Sequence, residues 1–220
     1  MPLADALPRW RRLPEERPGQ IIEAAFRVFG DQGLQRARLE DVAREAGVSK
    51  GTIYLYFESK EALFREVVRA KIISAIEAAE RELDNDLSCT EALRIFARHH
   101  WEYVTSSVFQ TMYRLVNAEL GHFPDLAAFY GREVIDRSLR LVADVLARGV
   151  DAGEFRPLDP TPTARIFASM FITHSHWYSR RALFGTFVDT SSEAVRDSIT
   201  DFFLRAIAAS PPREASRSSK

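Results

Sequence analysis

The chain has 220 residues, of which 46% are hydrophobic, and these proportions allow a sizeable core in one or two domains. Its formal net charge of −1 excludes a protein that binds nucleic acid through bulk positive charge alone. Because Cys89 is the single cysteine and no apolar run approaches the roughly 18 residues of a membrane span, we expect no intrachain disulfide, no membrane segment and a place in the reducing cytoplasm.

The predicted elements are helices, since no alternating run bounded by turn signals is convincing as a strand. The spacing of apolar residues predicts an all-α fold of about nine helices, with a three-helix N-terminal domain and a larger helical domain. In chain order we expect a flexible arm over residues 1–16, the three short helices over 17–58, a connecting helix over 59–84, the larger domain over 85–209 and a disordered tail over 210–220.

The segment from residue 39 to 60, LEDVAREAGVSKGTIYLYFESK, has the pattern of a helix-turn-helix. Gly47 follows the first helix at a position that favours a left-handed backbone, and Ser49 is a good N-cap for the second helix. In a helix-turn-helix, the second helix enters the major groove of DNA. The pattern therefore predicts a DNA-binding element, with a generic pair of amphipathic helices as the alternative.

The later half of the chain is rich in aromatic residues and Met, a composition that fits both an ordinary helical core and an apolar ligand cavity. The adjacent pair His99 and His100, and the pair His174 and His176, cannot each present two rings to one metal from a helix. We therefore predict no metal and no cofactor. His174 or His100 remains a candidate for hydrogen bonding to a ligand.

Two stretches of sequence give the chain a resemblance to the tetracycline-repressor (TetR/AcrR-like) family of bacterial transcription regulators. They are AAFRVFGDQG at 24–33 and LEDVAREAGVSKGTIYLYFESKEALF at 39–64, about the first quarter of the chain. The segment MYRLVNAELGHFPDLAAFY at 112–130 also looks like a C-terminal domain subtype of that family. Family members often have two hydroxyl residues before the second helix, where this chain has Ala37 and Arg38, so the charge of Arg38 would replace a phosphate contact.

The resemblance implies a role in DNA binding for each residue along the second helix of the motif. Lys50 and Gly51 would approach base edges, Thr52 would touch a base, and the tyrosines would bond phosphates. The predicted DNA-binding set is Arg38, Ser49, Lys50, Gly51, Thr52, Tyr54, Tyr56 and Lys60. Two such helices in a symmetric homodimer would read a pseudo-palindromic operator on double-stranded DNA, with half-sites about 34–36 Å apart or a multiple of that distance.

The resemblance also implies a dimer interface on the last two long helices, about 162–184 and 191–208, and an effector cavity in the larger domain. The predicted interface residues are Val195, Ile199, Phe202 and Phe203, unless that stripe packs on its own core. The predicted ligand-binding residues are Trp101, Met112, Tyr113, Phe129, Phe167, Met170 and His174.

The leading functional hypothesis is a repressor that a small apolar effector releases from DNA. One alternative is a DNA-binding dimer without an effector. The other is a helical metal-dependent enzyme, which is disfavoured because the sequence lacks an HExxH motif, a phosphate-binding loop and a nucleophile elbow.

Overall fold

The computed structural model describes residues 17–82, 87–185 and 190–209, and these residues form ten helical runs. The predicted arm and tail lie outside the described residues. The first four runs are α1 (Arg17–Gln32), α2 (Leu39–Ala46), α3 (Lys50–Tyr56) and α4, which consists of Lys60–Val68, a π-helical turn at Arg69–Ile73 and Ser74–Glu82.

The remaining runs complete an all-α fold, as the sequence predicted. They are α5 (Cys89–Thr105), α6 (Ser107–Glu119, followed by a 3₁₀ turn at Leu120–His122), α7 (Pro124–Tyr130, a π-helical turn at Gly131–Asp136, and Arg137–Asp151), α8 (Pro160–Ser179), α9 (Arg181–Phe184) and α10 (Ser192–Ile207). Within the described ranges, the only β-type pairing is an isolated bridge between Phe155 and Ala208. No helix there is long and apolar enough to cross a membrane.

The turn between α2 and α3 is built from the two end signals that the sequence contains. Gly47 has a φ of +66°, and the N–H of Val48 donates to the carbonyl of Ala43 at 2.9 Å, the hydrogen bond that closes a Schellman motif. At the start of α3, Ser49 Oγ accepts a hydrogen bond from the N–H of Thr52 at 3.1 Å. These two caps fix the direction in which α3 leaves α2.

The chain divides into two compact units. Of the described residues, the first unit contains those up to Ser74 together with Thr111–Tyr130, and the second contains Ala75–Gln110 together with those from Gly131 onwards. This division departs from the predicted boundaries at 58/59 and 84/85.

The difference arises because α6 contacts the N-terminal helices. Arg114 donates to the carbonyl of Gly30 at 2.7 Å, and Glu119 accepts from the N–H of Gln35 at 2.7 Å. Each pair is separated by 84 residues in sequence, and helical periodicity contains no information about such contacts.

The core of the second unit contains most of the residues predicted to form the dimer interface. Val195, Ile199 and Phe203 are at most 7% exposed, and the Phe203 ring lies 4.3 Å from that of Phe167, centroid to centroid. Only Phe202, which is 67% exposed, is available to a partner. Residue 202 lies about 100° around the helix from residue 203 but only about 20° from residue 195, so helical spacing alone did not distinguish the exposed ring from the three side chains that pack in the core of the monomer.

The predicted single helix over 162–184 is interrupted near its C-terminal end. α8 stops at Ser179, Arg180 leaves the helical region with φ −107° and ψ 15°, and α9 is a separate short helix that ends at Gly185. Ser179 Oγ donates to the carbonyl of Ser175 at 2.7 Å. Such bonds from serine to the preceding turn weaken the regular helical ladder, which is a physical reason for the break.

Candidate nucleic-acid interface

α3 is attached to the first unit through one face and leaves its other side chains at the surface. Ile53 is completely buried and Phe57, just after the helix, is 6% exposed. By contrast, Tyr54 is 51% exposed, Leu55 81% and Tyr56 40%. A seven-residue helix that exposes three large side chains buries little of its own apolar surface, and this is expected of a contact surface rather than a core helix.

Lys50, at the start of α3, is exposed but has an internal partner. Its Nζ lies 2.5 Å from Glu40 Oε1 and 5.7 Å from the centroid of the Tyr54 ring. The hydrogen bond between the two side chains raises the pKa of Lys50 and lowers that of Glu40, so both groups are charged at neutral pH.

Thr52 and Ser49 face each other at the beginning of the same helix. Their hydroxyl oxygens are 2.8 Å apart, and the Ser49 hydroxyl also caps the helix. Gly51 has ordinary space around it, since a Cβ added there would lie 3.7 Å from Ser49 Oγ. Of the predicted DNA-binding set, all residues from Ser49 to Tyr56 therefore lie together on or beside α3.

The other two predicted DNA-binding residues lie on either side of the motif and behave differently from each other. Arg38 is exposed, has an extended backbone at the N-cap of α2 and makes no side-chain capping bond, as expected where a hydroxyl residue is missing. Lys60 Nζ instead donates to the carbonyls of Gln35 and Ala37, each at 3.1 Å. Lys60 therefore ties down the loop before α2, whose carbonyls require donors, and its part in DNA binding stays a prediction.

The predicted ligand-binding residues do not belong to one unit. Met112, Tyr113 and Phe129 are in the first unit, whereas the other four are in the second. There, Phe167 is completely buried in the core and Trp101 Nε1 donates to Ser192 Oγ at 2.9 Å. Met170 packs against that core, and its carbonyl lies 2.7 Å from His174 Nδ1. Composition could not separate these core contacts from a cavity lining.

His100 is a partly buried polar side chain that packs against the aromatic rings of the second unit. Its ring stacks on Phe96 with centroids 5.3 Å apart and meets the Phe171 ring edge-on at 5.7 Å. Burial lowers its pKa to about 4, an effect only partly opposed by a hydrogen bond with the Ala168 backbone. Nε2 is buried without a hydrogen-bond partner. A neutral imidazole thus offers one hydrogen-bonding atom within an apolar environment.

Two surface pockets among the described residues, one in each unit, are bordered by charged side chains. The first, about 310 Å³, is lined by Glu61, Arg65, His122, Phe123, Pro124, Asp125 and Leu126. The second, about 170 Å³, is lined by Glu91, Arg94, Ile95, Arg98, Arg196, Asp197 and Thr200. Neither includes a predicted ligand-binding residue. Among the residues that the structure describes, no group of three His, Cys, Asp or Glu could hold a metal ion.

The outward second helix of a helix-turn-helix, on an otherwise helical chain, defines a class of DNA-binding regulators. The family model described as bacterial regulatory proteins, tetR family, matches residues 21–67. A second model, described as AefR-like transcriptional repressor, C-terminal domain, matches residues 91–209. The chain belongs to the TetR family, as its resemblance indicated, and is a DNA-binding transcriptional regulator rather than an enzyme.

Known relatives and solved structures extend over most of the chain. The fatty acid metabolism regulator protein of Bacillus subtilis is 27% identical over 174 residues, covering 75% of this chain and 86% of the relative. The transcriptional repressor KstR2 of Mycolicibacterium smegmatis is 28% identical over 167 residues, covering 75% and 80%. The structure of the flavonoid-responsive regulator FrrA is 29% identical, with a TM-score of 0.64 and coverage of 90% and 99%.

Similarity at the level of the fold alone extends to Bacillus subtilis FadR in complex with stearoyl-CoA. That structure is 21% identical, has a TM-score of 0.66, and covers 84% of this chain and 97% of its own.

Proposed function

We propose that the protein is a cytoplasmic homodimeric repressor that reads a pseudo-palindromic operator through α3 and leaves it when a small apolar effector binds the second unit. The observation that supports this most strongly is the exposed edge of α3 from Lys50 to Tyr56, which combines a cation, hydroxyl groups and aromatic rings. Those groups can donate to base edges and phosphates from within the major groove.

Dimerisation is supported by the apolar side chains that α8, α9 and α10 expose. These three helices contain five of the large exposed hydrophobic residues of the described chain, namely Ile166, Trp177, Leu183, Phe184 and Phe202. Their concentration on neighbouring elements of the sequence is typical of a protein–protein interface rather than of scattered surface residues.

An effector is supported by the names of relatives and by the chemistry of the second unit. FrrA responds to flavonoids and FadR binds stearoyl-CoA, so related folds accept large, mostly apolar molecules. In this chain the aromatic cluster around His100 offers apolar surface with one polar atom, the usual composition of such sites.

A regulator without an effector is the second candidate, because Phe167 and Phe171 fill the core of the second unit with no exposed surface. Thermal unfolding in the presence of long-chain acyl-CoA and flavonoid panels separates the two. The repressor proposal requires a compound that raises the melting temperature and weakens DNA binding, whereas the second candidate requires that no compound do so.

The proposed DNA-binding surface, the exposed edge of α3 from Lys50 to Tyr56, is tested with the variant Lys50→Gln. Its binding is measured to a duplex that the wild-type protein has enriched from random DNA. We expect an affinity loss of about tenfold or more, since a hydrogen-bond donor to the base edges is removed from the interface. Lys71→Gln makes the same change of charge at the ion pair with Glu23, outside the helix-turn-helix, and should have little effect. Equal losses in both variants would contradict the assignment.

A further inference from the structure

The ion pair between Glu40 and Lys50 joins the two helices of the DNA-binding motif. Glu40 is the second residue of α2 and Lys50 the first of α3, and both side chains are about half exposed. The Schellman turn at Gly47 and the cap at Ser49 set the crossing of the two helices, which brings the carboxylate beside the start of the recognition helix.

Stability alone does not account for an acidic group at this place. An exposed ion pair adds little to folding, since water and salt screen it and both side chains lose freedom. Glu40 does suit the positive N-terminal end of α2, but Asp41 lies in the same turn and serves that purpose as well. A carboxylate next to a surface that meets phosphates also weakens binding to every DNA sequence.

We propose that Glu40 is a positioning residue that sets DNA specificity through Lys50, an inference that rests on the proposed function of α3. Binding to nonspecific DNA depends on cations that are free to meet any phosphate. Glu40 forms an ion pair with the Lys50 ammonium and offsets its positive charge. The carboxylate therefore lowers the affinity for nonspecific DNA.

At the operator the same ion pair favours binding. An ammonium group has three donors, so Lys50 can remain bonded to Glu40 while another N–H reaches a base-edge acceptor in the major groove. The carboxylate thereby holds the ammonium at the start of α3 and reduces the freedom that is lost on binding. Glu40 thus weakens binding to nonspecific DNA and orients Lys50 for the operator.

The neighbouring charges provide a matched control. Glu45 is on the same helix, is exposed, and pairs with Arg27 at 2.7 Å rather than with Lys50. Asp41 pairs with Arg44, so it does not substitute for Glu40 at Lys50. Glu40→Gln and Glu45→Gln therefore remove the same charge from α2, but only the first releases Lys50.

The test measures the affinities of full-length variants for two probes, the duplex enriched by the wild-type protein and an unrelated duplex of equal length. We expect Glu40→Gln to bind the unrelated duplex more tightly and to lower the affinity ratio between the probes about tenfold. Glu45→Gln should change the ratio much less. In a Lys50→Gln background, Glu40→Gln should have no further effect on the ratio, because its effect passes through Lys50.

Three results would overturn the inference. The affinity ratio could fall equally in Glu40→Gln and Glu45→Gln, or the effect of Glu40→Gln could persist in the Lys50→Gln background. Either result would mean that the carboxylate acts only as a negative charge near the DNA and not through Lys50. Alternatively, Glu40→Gln could lower the melting temperature and leave the ratio unchanged, which is the behaviour of a helix-end residue alone. A wild-type protein that does not prefer the enriched duplex would instead refute the proposed function itself.

Discussion

His100 illustrates how strongly a single residue depends on its surroundings. Its burial among Phe96, Phe171 and neighbouring rings lowers its pKa from about 6.5 to about 4, so the folded protein keeps the ring neutral over the physiological range. The unfolded chain, with an ordinary imidazole, binds a proton more readily at any pH within that interval. The free energy of unfolding must therefore fall as the pH is lowered from about 6.5 towards 4.

Replacing His100 with Phe should remove this part of the pH dependence. At about pH 5 the wild-type protein should have lost on the order of 2 kcal/mol relative to neutral pH through this group, and the variant should lose that much less. Urea unfolding at the two pH values measures the difference. The exposed His122→Gln is the control and should behave as the wild type does. An unchanged pH dependence in His100→Phe would contradict the assigned environment.

Individual residues were predictable from sequence where their roles are local. Ser49 caps α3 as predicted, and its hydroxyl accepts a hydrogen bond from the N–H three residues later. The hydrogen bonds of Lys60 were not predictable, because its carbonyl partners lie 23 and 25 residues away in a loop whose path depends on tertiary packing.

At the scale of elements, alanine substitutions at Gly47 and Gly51 distinguish the effect of a glycine on the stability of the helix-turn-helix from its effect on DNA binding. Gly47 has a left-handed backbone, so Gly47→Ala should cost about 1 kcal/mol of stability. Gly51 lies inside α3 with room for a methyl group, and alanine favours helix by up to about 1 kcal/mol, so Gly51→Ala should be at least as stable as the wild type.

For operator affinity we expect the opposite order, with Gly51→Ala as the more damaging substitution. If the backbone of Gly51 approaches base edges, the added methyl group will weaken operator binding without loss of stability. Urea unfolding and binding to the enriched duplex, measured on both variants, give the two quantities. Full operator affinity in Gly51→Ala would show that this backbone does not approach the DNA closely.

The existence of the helices followed from periodicity, but their grouping did not. Apolar spacing, Gly47 and the cap at Ser49 located α2 and α3, because those signals lie within a few residues. The placement of α6 with the N-terminal helices depends instead on Arg114 and Glu119 meeting distant backbone groups. The break at Arg180 was also not predicted, since a single helix was expected to continue to about residue 184.

At the scale of the whole molecule, α10 distinguishes the core from the proposed interface by one position. Phe202→Arg should convert the proposed dimer to a monomer that keeps its helical content, because this ring is exposed. Phe203→Arg should unfold the second unit, since it buries an unpaired charge and loses an aromatic contact, at a cost of several kcal/mol.

Sedimentation velocity and circular dichroism distinguish these outcomes. A folded Phe202→Arg variant that remains dimeric at low protein concentration would place the interface elsewhere. A stable, helical Phe203→Arg variant would contradict the packing of the second unit.

The central claim is that two copies of α3 read DNA together, and selection of bound sequences from a random duplex pool by the purified protein tests it most directly. The account predicts enrichment of an inverted repeat whose half-sites are separated by about one helical turn, 34–36 Å, or a multiple of it. Enrichment of a single unpaired half-site, or of no sequence over the random pool, would contradict it.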